Sequence, residues 1–193
     1  MFEKEEIRIL GVDDGFFIRG KDTNTLLVGA IMRGYKQLDG VLSTKITVDG
    51  HDVSEKLVKM LKRTDHYKQL RVIMLNGITF AGFNTIDCEY VYNKVGIPIV
   101  IVIRKKPNLA EFKKAMYKLH DGKDRWNLVS KLNPPKYVET PYGKTFYQCY
   151  KITDEDAKKL ILKTAVYSRI PEPVRVAHLI AMGVTLGYSK GKP

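Results

Sequence analysis

Three runs of apolar residues open the chain, Ile7 to Val12, Leu26 to Tyr35 and Gly40 to Val48, separated by polar, glycine-containing segments at Asp14 to Asn24 and Lys36 to Asp39. Runs bounded by turn residues predict strands, and connections this short predict an antiparallel meander. After Asp49 the period changes. Val53, Leu57, Val58 and Leu61 fall on one helical face, with Asp52 or Ser54 available as N-cap. A short apolar run, Val72 to Leu75, follows. It leads to a helix from about Asn84 to Val95 that Gly96 stops, a strand at Ile97 to Ile103, and a helix carrying Leu109, Phe112, Met116 and Leu119. The predicted order is three strands, helix, strand, helix, strand, helix. The runs at 72 to 75 and 97 to 103 are apolar without alternation, which marks strands buried on both faces, and helical crossovers make such strands parallel.

Asn76-Gly77 is a hairpin signal, but Ile78 to Phe83 alternates poorly for a return strand and contains Gly82, so a loop feeding the next helix is expected. Chain direction then has a consequence. Strands one, three, four and five all run the same way, and their C-terminal ends share one sheet edge. That edge collects Asp13 and Asp14, Asp49 and Asp52, Asn76, and the basic run Arg104-Lys105-Lys106. In open α/β sheets ligands bind at this edge. Clustered acidic oxygens suit Mg2+ or Mn2+, two such ions can drive phosphodiester cleavage, and the basic run can hold phosphate. Each element taken singly has an ordinary reading as a turn, a helix cap or a solvated loop; their convergence on one edge favours a site.

Beyond residue 107 an α/β extension is expected. Thr145 to Lys151 is strand-like, Thr153 to Asp156 is a capping-box start for a helix carrying Ala157, Leu160, Ile161 and Ala165, and Pro173 opens a last apolar helix. Tyr137, Tyr142, Phe146, Tyr147 and Tyr150 lie beside prolines and lysines, as core and turn packing or as a surface for stacking an unpaired base. The chain reads as a single domain over 1–193, with a core of about 1–120 and an extension of about 121–193.

Composition narrows the function. With 44% hydrophobic and 28% charged residues the chain is of soluble globular type. Its longest apolar run, Ile97 to Ile103, is far short of the roughly 20 residues of a membrane span. MFEKEEIR lacks the apolar core of a signal peptide, so a cytoplasmic protein is expected. The formal charge of +12 favours a polyanionic partner through phosphate contacts, although lysine-rich surfaces also arise in thermophiles. Cys88 and Cys149 are far apart and have no zinc-type spacing. Gly143-Lys144-Thr145 lacks the upstream glycine of a P-loop, since position 138 is valine. His178 lies three residues after Arg175 on a predicted helix, placed either to reach phosphate or to serve as a satisfied core histidine.

Four stretches carry a resemblance: "GVDDG" at 11 to 15, "VDGHD" at 48 to 52, "LNGITFAGFNTID" at 75 to 87 and "IPEPVRVAHLIA" at 170 to 181. Together they resemble the archaeal endonuclease dU family over nearly the whole chain, and more distantly the sequence is similar to endonuclease V. The resemblance implies a ribonuclease H-like mixed sheet with a C-terminal α/β extension. It also implies a metal-dependent nuclease, using Mg2+ or Mn2+, that acts on deaminated bases, with deoxyuridine in DNA as substrate. Asp13 falls where endonuclease V carries its first-strand metal aspartate, and Asn76 where both families usually carry a second. Asp49, Asp52 and Glu55 compete for the middle acid. "CYKIT" at 149 to 153 aligns with Gly-His-Arg-Ile-Ser and sets Tyr150 at a catalytic histidine position.

The candidates are therefore Asp13, Asp49, Asp52, Asn76 and Tyr150 for catalysis, and Asp13, Asp14, Asp49 and Asn76 for metal. Arg104, Lys105, Lys106, Arg175 and His178 are the candidates for nucleic acid. Asparagine keeps an oxygen ligand but loses a charge, and tyrosine, titrating near 10, is a poor base at neutral pH. Asp14 or Asp87 is available to compensate. Three readings follow: an endonuclease on uracil-containing DNA, a nucleic-acid-binding protein whose catalytic centre has degenerated, or a small-molecule- or protein-binding scaffold whose charge is only surface composition.

Overall fold

The computed structural model describes residues 6–189. Most of the N-terminal stretch MFEKEEIR noted above lies outside them. Seven strands form one sheet in the order β3-β2-β1-β4-β7-β9-β8. The first three, β1 (Arg8–Asp14), β2 (Asn24–Arg33) and β3 (Gln37–Thr47), are the expected antiparallel meander. β4 (Leu70–Asn76) then pairs with β1 in parallel, and β7 (Ile99–Ile103) pairs with β4 in parallel. β8 (Lys136–Thr140) and β9 (Gly143–Tyr150) extend the same sheet, with β9 antiparallel to β7.

Helices cover both faces. Strand side chains alternate with a period of two, so Leu10, Val12, Ile73, Leu75, Ile99 and Ile101 share one face. They pack against α1 (Val53–Lys62), α2 (Cys88–Val95) and a few residues of α3 (Leu109–Met116) and α4 (Gly122–Ser130). Ile9, Val72, Met74, Val100 and Val102 line the other face, under α5 (Asp154–Thr164) and α6 (Glu172–Leu186). Such two-sided burial is why β4 and β7 read as unbroken apolar runs. This is a ribonuclease H-like mixed sheet with a C-terminal α/β extension, and that extension covers the site face of the sheet.

The placement of α6 depends on small residues. A Cβ at Gly11 of β1 would lie 1.9 Å from the Pro173 carbonyl oxygen, so only glycine lets the start of α6 rest on the strand backbone. Ala177 and Ala181 continue the close approach against Val28 and Ala30 of β2. Among the described residues no helix is long and apolar enough to cross a membrane.

Boundaries differ from the sequence reading in informative places. β1 runs on to Asp14, so both aspartates belong to the strand and not to a turn. α2 starts at Cys88 and not at Asn84, because the Asp87 side chain accepts the Tyr90 amide as its N-cap. The segment before it contains a small hairpin, β5 (Thr79–Phe80) with β6 (Asn84–Thr85), turning through Ala81 and Gly82, both at positive φ. The hairpin turn therefore lies beyond Asn76-Gly77. α4 and β8 had no clear periodic signal: α4 buries Gly122 and Arg125 beside Val129, and β8 is an edge strand that buries only Val138 and Thr140.

Candidate active site

Asp13 is the innermost polar group of the edge, 3% exposed. Alternation puts it on the face of Ile9 and Gly11, beneath α6. Its Oδ2 accepts a hydrogen bond from Asn76 Nδ2 at 3.0 Å and lies 2.7 Å from His178 Nδ1. Asn76 meets it because β4 pairs with β1 in parallel, with Val12 opposite Leu75, and because Asn76 follows Met74 on the same face. His178 meets it because α6 is seated on Gly11 and the alanine stripe. With the ring proton on Nδ1 toward the carboxylate, a neutral imidazole carries its acceptor lone pair on Nε2.

Asp14 turns toward the other face, where its Oδ2 accepts the Ala81 amide at 2.5 Å. Burial, and then the negative charge of Asp13, push its carboxyl up to about 7, against the pull of the Ala81 hydrogen bond. Asp49 grips the same loop from the far side. Its amide donates to the Ala81 carbonyl at 2.8 Å, while its Oδ1 accepts from the Phe83 amide at 2.8 Å and from Arg19 at 3.1 Å. Asp49 has φ 53°, and a Cβ on Gly82 would lie 2.3 Å from its Oδ1. The sequence VDG followed later by AGF is thus a backbone clamp.

Arg125, only 3% exposed, closes this clamp from α4. It donates to the Gly50 carbonyl at 2.9 Å, to the Asp49 carbonyl at 2.7 Å and to the Phe83 carbonyl, while its Nε bonds Asp121 at 2.9 Å. The hydrogen bond from Arg125 holds the Asp121 carboxyl down at about 2. Sequence reasoning did not find Arg125. Its only signal is the Asp121 four residues earlier.

Asp52 stands apart from this cluster. Its Oδ1 accepts from the Thr47 amide at 3.1 Å and Asn84 Nδ2 at 2.7 Å, and its Oδ2 accepts the Thr47 hydroxyl at 3.0 Å. Burial acts to raise its pKa, but these hydrogen bonds outweigh it and hold the carboxyl below the usual range. Asp52 and the buried Asn84 lock the junction of β3 with α1. Glu55 is exposed and paired with Lys59, and Asp87 is committed to capping α2.

Tyr150 is also elsewhere. β9 runs antiparallel to β7, so Tyr150 sits opposite Ile99 at the start of β7, across the full strand length from the edge that holds Asp13. Its ring packs edge-on to Tyr92 with centroids 5.9 Å apart. An alignment of short motifs misplaces it because it ignores strand direction.

The basic candidates divide. Lys105 and Lys106 are exposed just after β7, at the site edge. Arg104 lines a recess with Arg175, whose guanidinium binds both oxygens of the buried Glu172, at 2.5 and 2.9 Å. His178, a candidate for phosphate, contacts Asp13 instead.

The donor chemistry fits a hard divalent cation. Asp13 and Asp14 are adjacent carboxyls, with Asp14 driven up by burial and by its neighbour's charge, and the Asn76 carboxamide adds a neutral oxygen. Among the described residues no group of three or more His, Cys, Asp or Glu side chains is placed to hold an ion, so such a site needs Asn76 and water to complete it.

This sheet order is a ribonuclease H-like fold, with a buried aspartate at the end of the first strand and an acid-centred polar cluster at the C-terminal strand edge. The chain belongs to the endonuclease dU family, which it matches over residues 5–185. It is 46% identical over 186 residues to the UPF0215 protein NEQ431 of Nanoarchaeum equitans, covering 96% of this chain and 92% of that protein. A protein of unknown function from Archaeoglobus fulgidus has the same fold, with a TM-score of 0.83 and 34% identity over 93% of this chain and 98% of that one. Endonuclease V of Ciona intestinalis, in complex with a 24mer DNA containing an inosine followed by a ribo-adenosine, is similar with a TM-score of 0.58. That match covers 90% of this chain and 83% of that one; at 13% identity the likeness is one of fold.

Proposed function

We propose that the protein is a divalent-metal-dependent endonuclease that hydrolyses a phosphodiester bond in uracil-containing DNA. Membership of the endonuclease dU family and the endonuclease V-like fold support nuclease-like activity. The observation that carries the reading to particular residues is the buried Asp13 carboxylate held between Asn76 and His178 at the C-terminal strand edge. Asp13, Asp14 and the Asn76 oxygen would hold Mg2+ or Mn2+, which when bound stabilises charge on the phosphoryl oxygens. His178, oriented by Asp13, is the proton acceptor for the attacking water. The water oxygen bonds to phosphorus, its proton goes to His178 Nε2, and the ester bond breaks with its electron pair going to the leaving oxygen, which takes a proton from solvent. Arg104, Lys105 and Lys106 supply positive charge for the strand, and Asp49 with Arg19 and Arg125 holds the 77–83 loop beside the scissile position.

End-labelled oligonucleotides carrying one deoxyuridine, one hypoxanthine or no modification test this, with Mg2+, Mn2+ or EDTA. The expected result is cation-dependent cleavage of the deoxyuridine strand that Asp13→Ala abolishes. Absence of cleavage, or cleavage that survives Asp13→Ala, refutes it.

One contact favours a second reading, a nucleic-acid-binding protein with a degenerate centre: Asn76 gives its amide N–H to Asp13 where the family pattern has an acid. That reading expects salt-dependent binding without turnover, and cleavage appearing in Asn76→Asp. Wild-type cleavage at the rate of Asn76→Asp overturns it.

A further inference from the structure

We infer that the recess between the end of β7, the β8–β9 turn and the α5–α6 connection is a subsite for one unpaired nucleotide, with its base on Tyr167 and its flanking phosphates on Arg104 and Arg169. The nucleic-acid class of ligand rests on the function proposed above. The recess, about 420 Å³, is lined by Arg104, Tyr142, Tyr167, Arg169 and Arg175 among others, and among the described residues no carboxylate lines it. That volume suits a nucleotide-sized ligand.

Three features make it a built surface and not a chance hollow. First, Tyr167 is 68% exposed and Tyr142 51% exposed, so neither ring is spent on the core. Second, the ring of Tyr167 is backed by a fixed cation. The Arg175 guanidinium lies 5.8 Å from its centroid and is itself held by both oxygens of Glu172, which is 2% exposed. A flat ring set on a fixed guanidinium is a stacking platform for a base. Third, the walls are tied together. The Tyr142 hydroxyl donates to the Val166 carbonyl, and the Thr145 hydroxyl to the Arg169 carbonyl, so the β8–β9 turn and the α5–α6 connection form one rigid rim.

The recess also lies on the site edge. β9 starts beside the end of β7, with Phe146 opposite Ile103, so Tyr142 and Arg104 are neighbours at the C-terminal edge. Arg175 precedes His178 by three residues on α6, which puts the two on one helix face about a turn apart. A strand whose phosphate lies at Asp13 and His178 therefore passes this recess within a nucleotide or so. A duplex keeps its bases stacked inside, whereas a single strand can turn one out onto the ring.

Fluorescence anisotropy in EDTA tests the inference without cleavage, using a labelled thymidine oligonucleotide of about 12 nucleotides and an abasic strand of equal length. Tyr167→Ala is expected to weaken thymidine-strand binding by about five- to a hundredfold, to leave the abasic strand within about twofold, and Tyr167→Phe to bind as wild type. Arg104→Ala and Arg169→Ala are expected to weaken both strands and each to flatten the salt dependence of log Kd by roughly 0.7. Wild-type binding of the thymidine strand by Tyr167→Ala, or an equal loss for the abasic strand, overturns the subsite. If Tyr167 governs binding while no oligonucleotide is cut, the nuclease reading fails and the subsite stands. If cleavage requires Asp13 while Tyr167→Ala binds normally, the reverse holds.

Discussion

Asn76→Asp reverses the polarity of the contact at the centre of the site. In the native protein an amide N–H donates to Asp13 Oδ2 at 3.0 Å, a hydrogen bond to a charged acceptor worth about 1.5–3 kcal/mol. The introduced carboxylate sets two acceptors at that spacing. At an effective dielectric constant of about 20 the repulsion is about 5–6 kcal/mol. Taking up a proton instead, for a carboxyl of ordinary value near 4, costs about 5 kcal/mol at pH 8 and little more than 1 kcal/mol at pH 5. The two costs are similar at pH 8, so the pair holds one shared proton over much of the neutral range, and the O–H donor restores part of the lost hydrogen bond. Relaxation of the half-buried strand end lowers the cost further. A net loss of about 3 kcal/mol at pH 8 and under about 1 kcal/mol at pH 5 is expected.

The sign follows from linkage. The introduced carboxyl has a raised folded pKa, so its stability is present below the unfolded value near 4 and is lost as pH rises through the folded value. For a domain of this size each kcal/mol moves the melting midpoint by about 2–4 °C, so in EDTA the variant melts about 6–12 °C below wild type at pH 8 and within about 4 °C at pH 5. Asn76→Ala, which removes the donor without adding charge, gives a deficit that does not change with pH. Millimolar Mn2+ recovers the Asn76→Asp midpoint at pH 8, because a cation between two carboxylates removes their repulsion and binding to the folded state stabilises it. A pH-independent midpoint for Asn76→Asp, equal to wild type at pH 8 in EDTA, refutes the reasoning, since it would mean that Asn76 is not donating to a carboxylate at Asp13.

Asp14 is raised to about 7, so its contribution is present below about 4 and lost as pH rises through about 7; Asp14→Asn keeps an acceptor for the Ala81 amide and in EDTA gains on the order of 2 kcal/mol at pH 8 but not at pH 4, read by thermal melts. Arg125→Met strips three part-buried carbonyls of their donor and leaves Asp121 without its guanidinium; a loss of about 3–5 kcal/mol is expected in urea unfolding, with faster amide exchange at Ala81 and Phe83. His178→Gln lowers cleavage by about 100-fold or more with substrate affinity little changed, whereas Tyr150→Phe stays within about twofold of wild type. Equal losses in the two variants would contradict the assignment of His178 and Tyr150 to opposite ends of the sheet.

The order of β1 to β4 and β7 along the chain was readable because each is an apolar run bounded by turn residues, and parallel direction followed from the helices that precede β4 and β7. The gathering of Asp13, Asp14, Asp49 and Asn76 at one end followed from direction alone. Their division into roles did not. Whether an aspartate at a strand end faces a helix or a loop depends on register, and a one-residue shift exchanges the two. Asp13 and Asp14 differ by that single step and meet His178 and Ala81 respectively. Asp52 looked like a site residue because an aspartate before a helix can serve as a cap or a metal ligand; its side chain makes no cap hydrogen bond and binds Thr47 and Asn84 instead, the latter from 32 residues away. Arg125 carried only the signal of Asp121 four residues earlier, since its other hydrogen bonds to the 49–50 and 83 segments are to backbone carbonyls, which any sequence supplies.

The contact between Asp13 and His178 spans 165 residues, and its cost in chain entropy has to be met by packing elsewhere. The packing is visible in small residues. Gly11 admits Pro173, and Ala177 and Ala181 admit Val28 and Ala30, so the final helix rests on the first two strands with little side-chain bulk between them. That surface is apolar and is buried by α6, so β1 and β2 are covered on this face only when the last helix has docked. The same docking brings His178 to Asp13 and Arg175 to the recess beside it. The C-terminal extension is therefore part of the candidate site: the first strand supplies the carboxylate, and the last helix supplies the imidazole that orients against it.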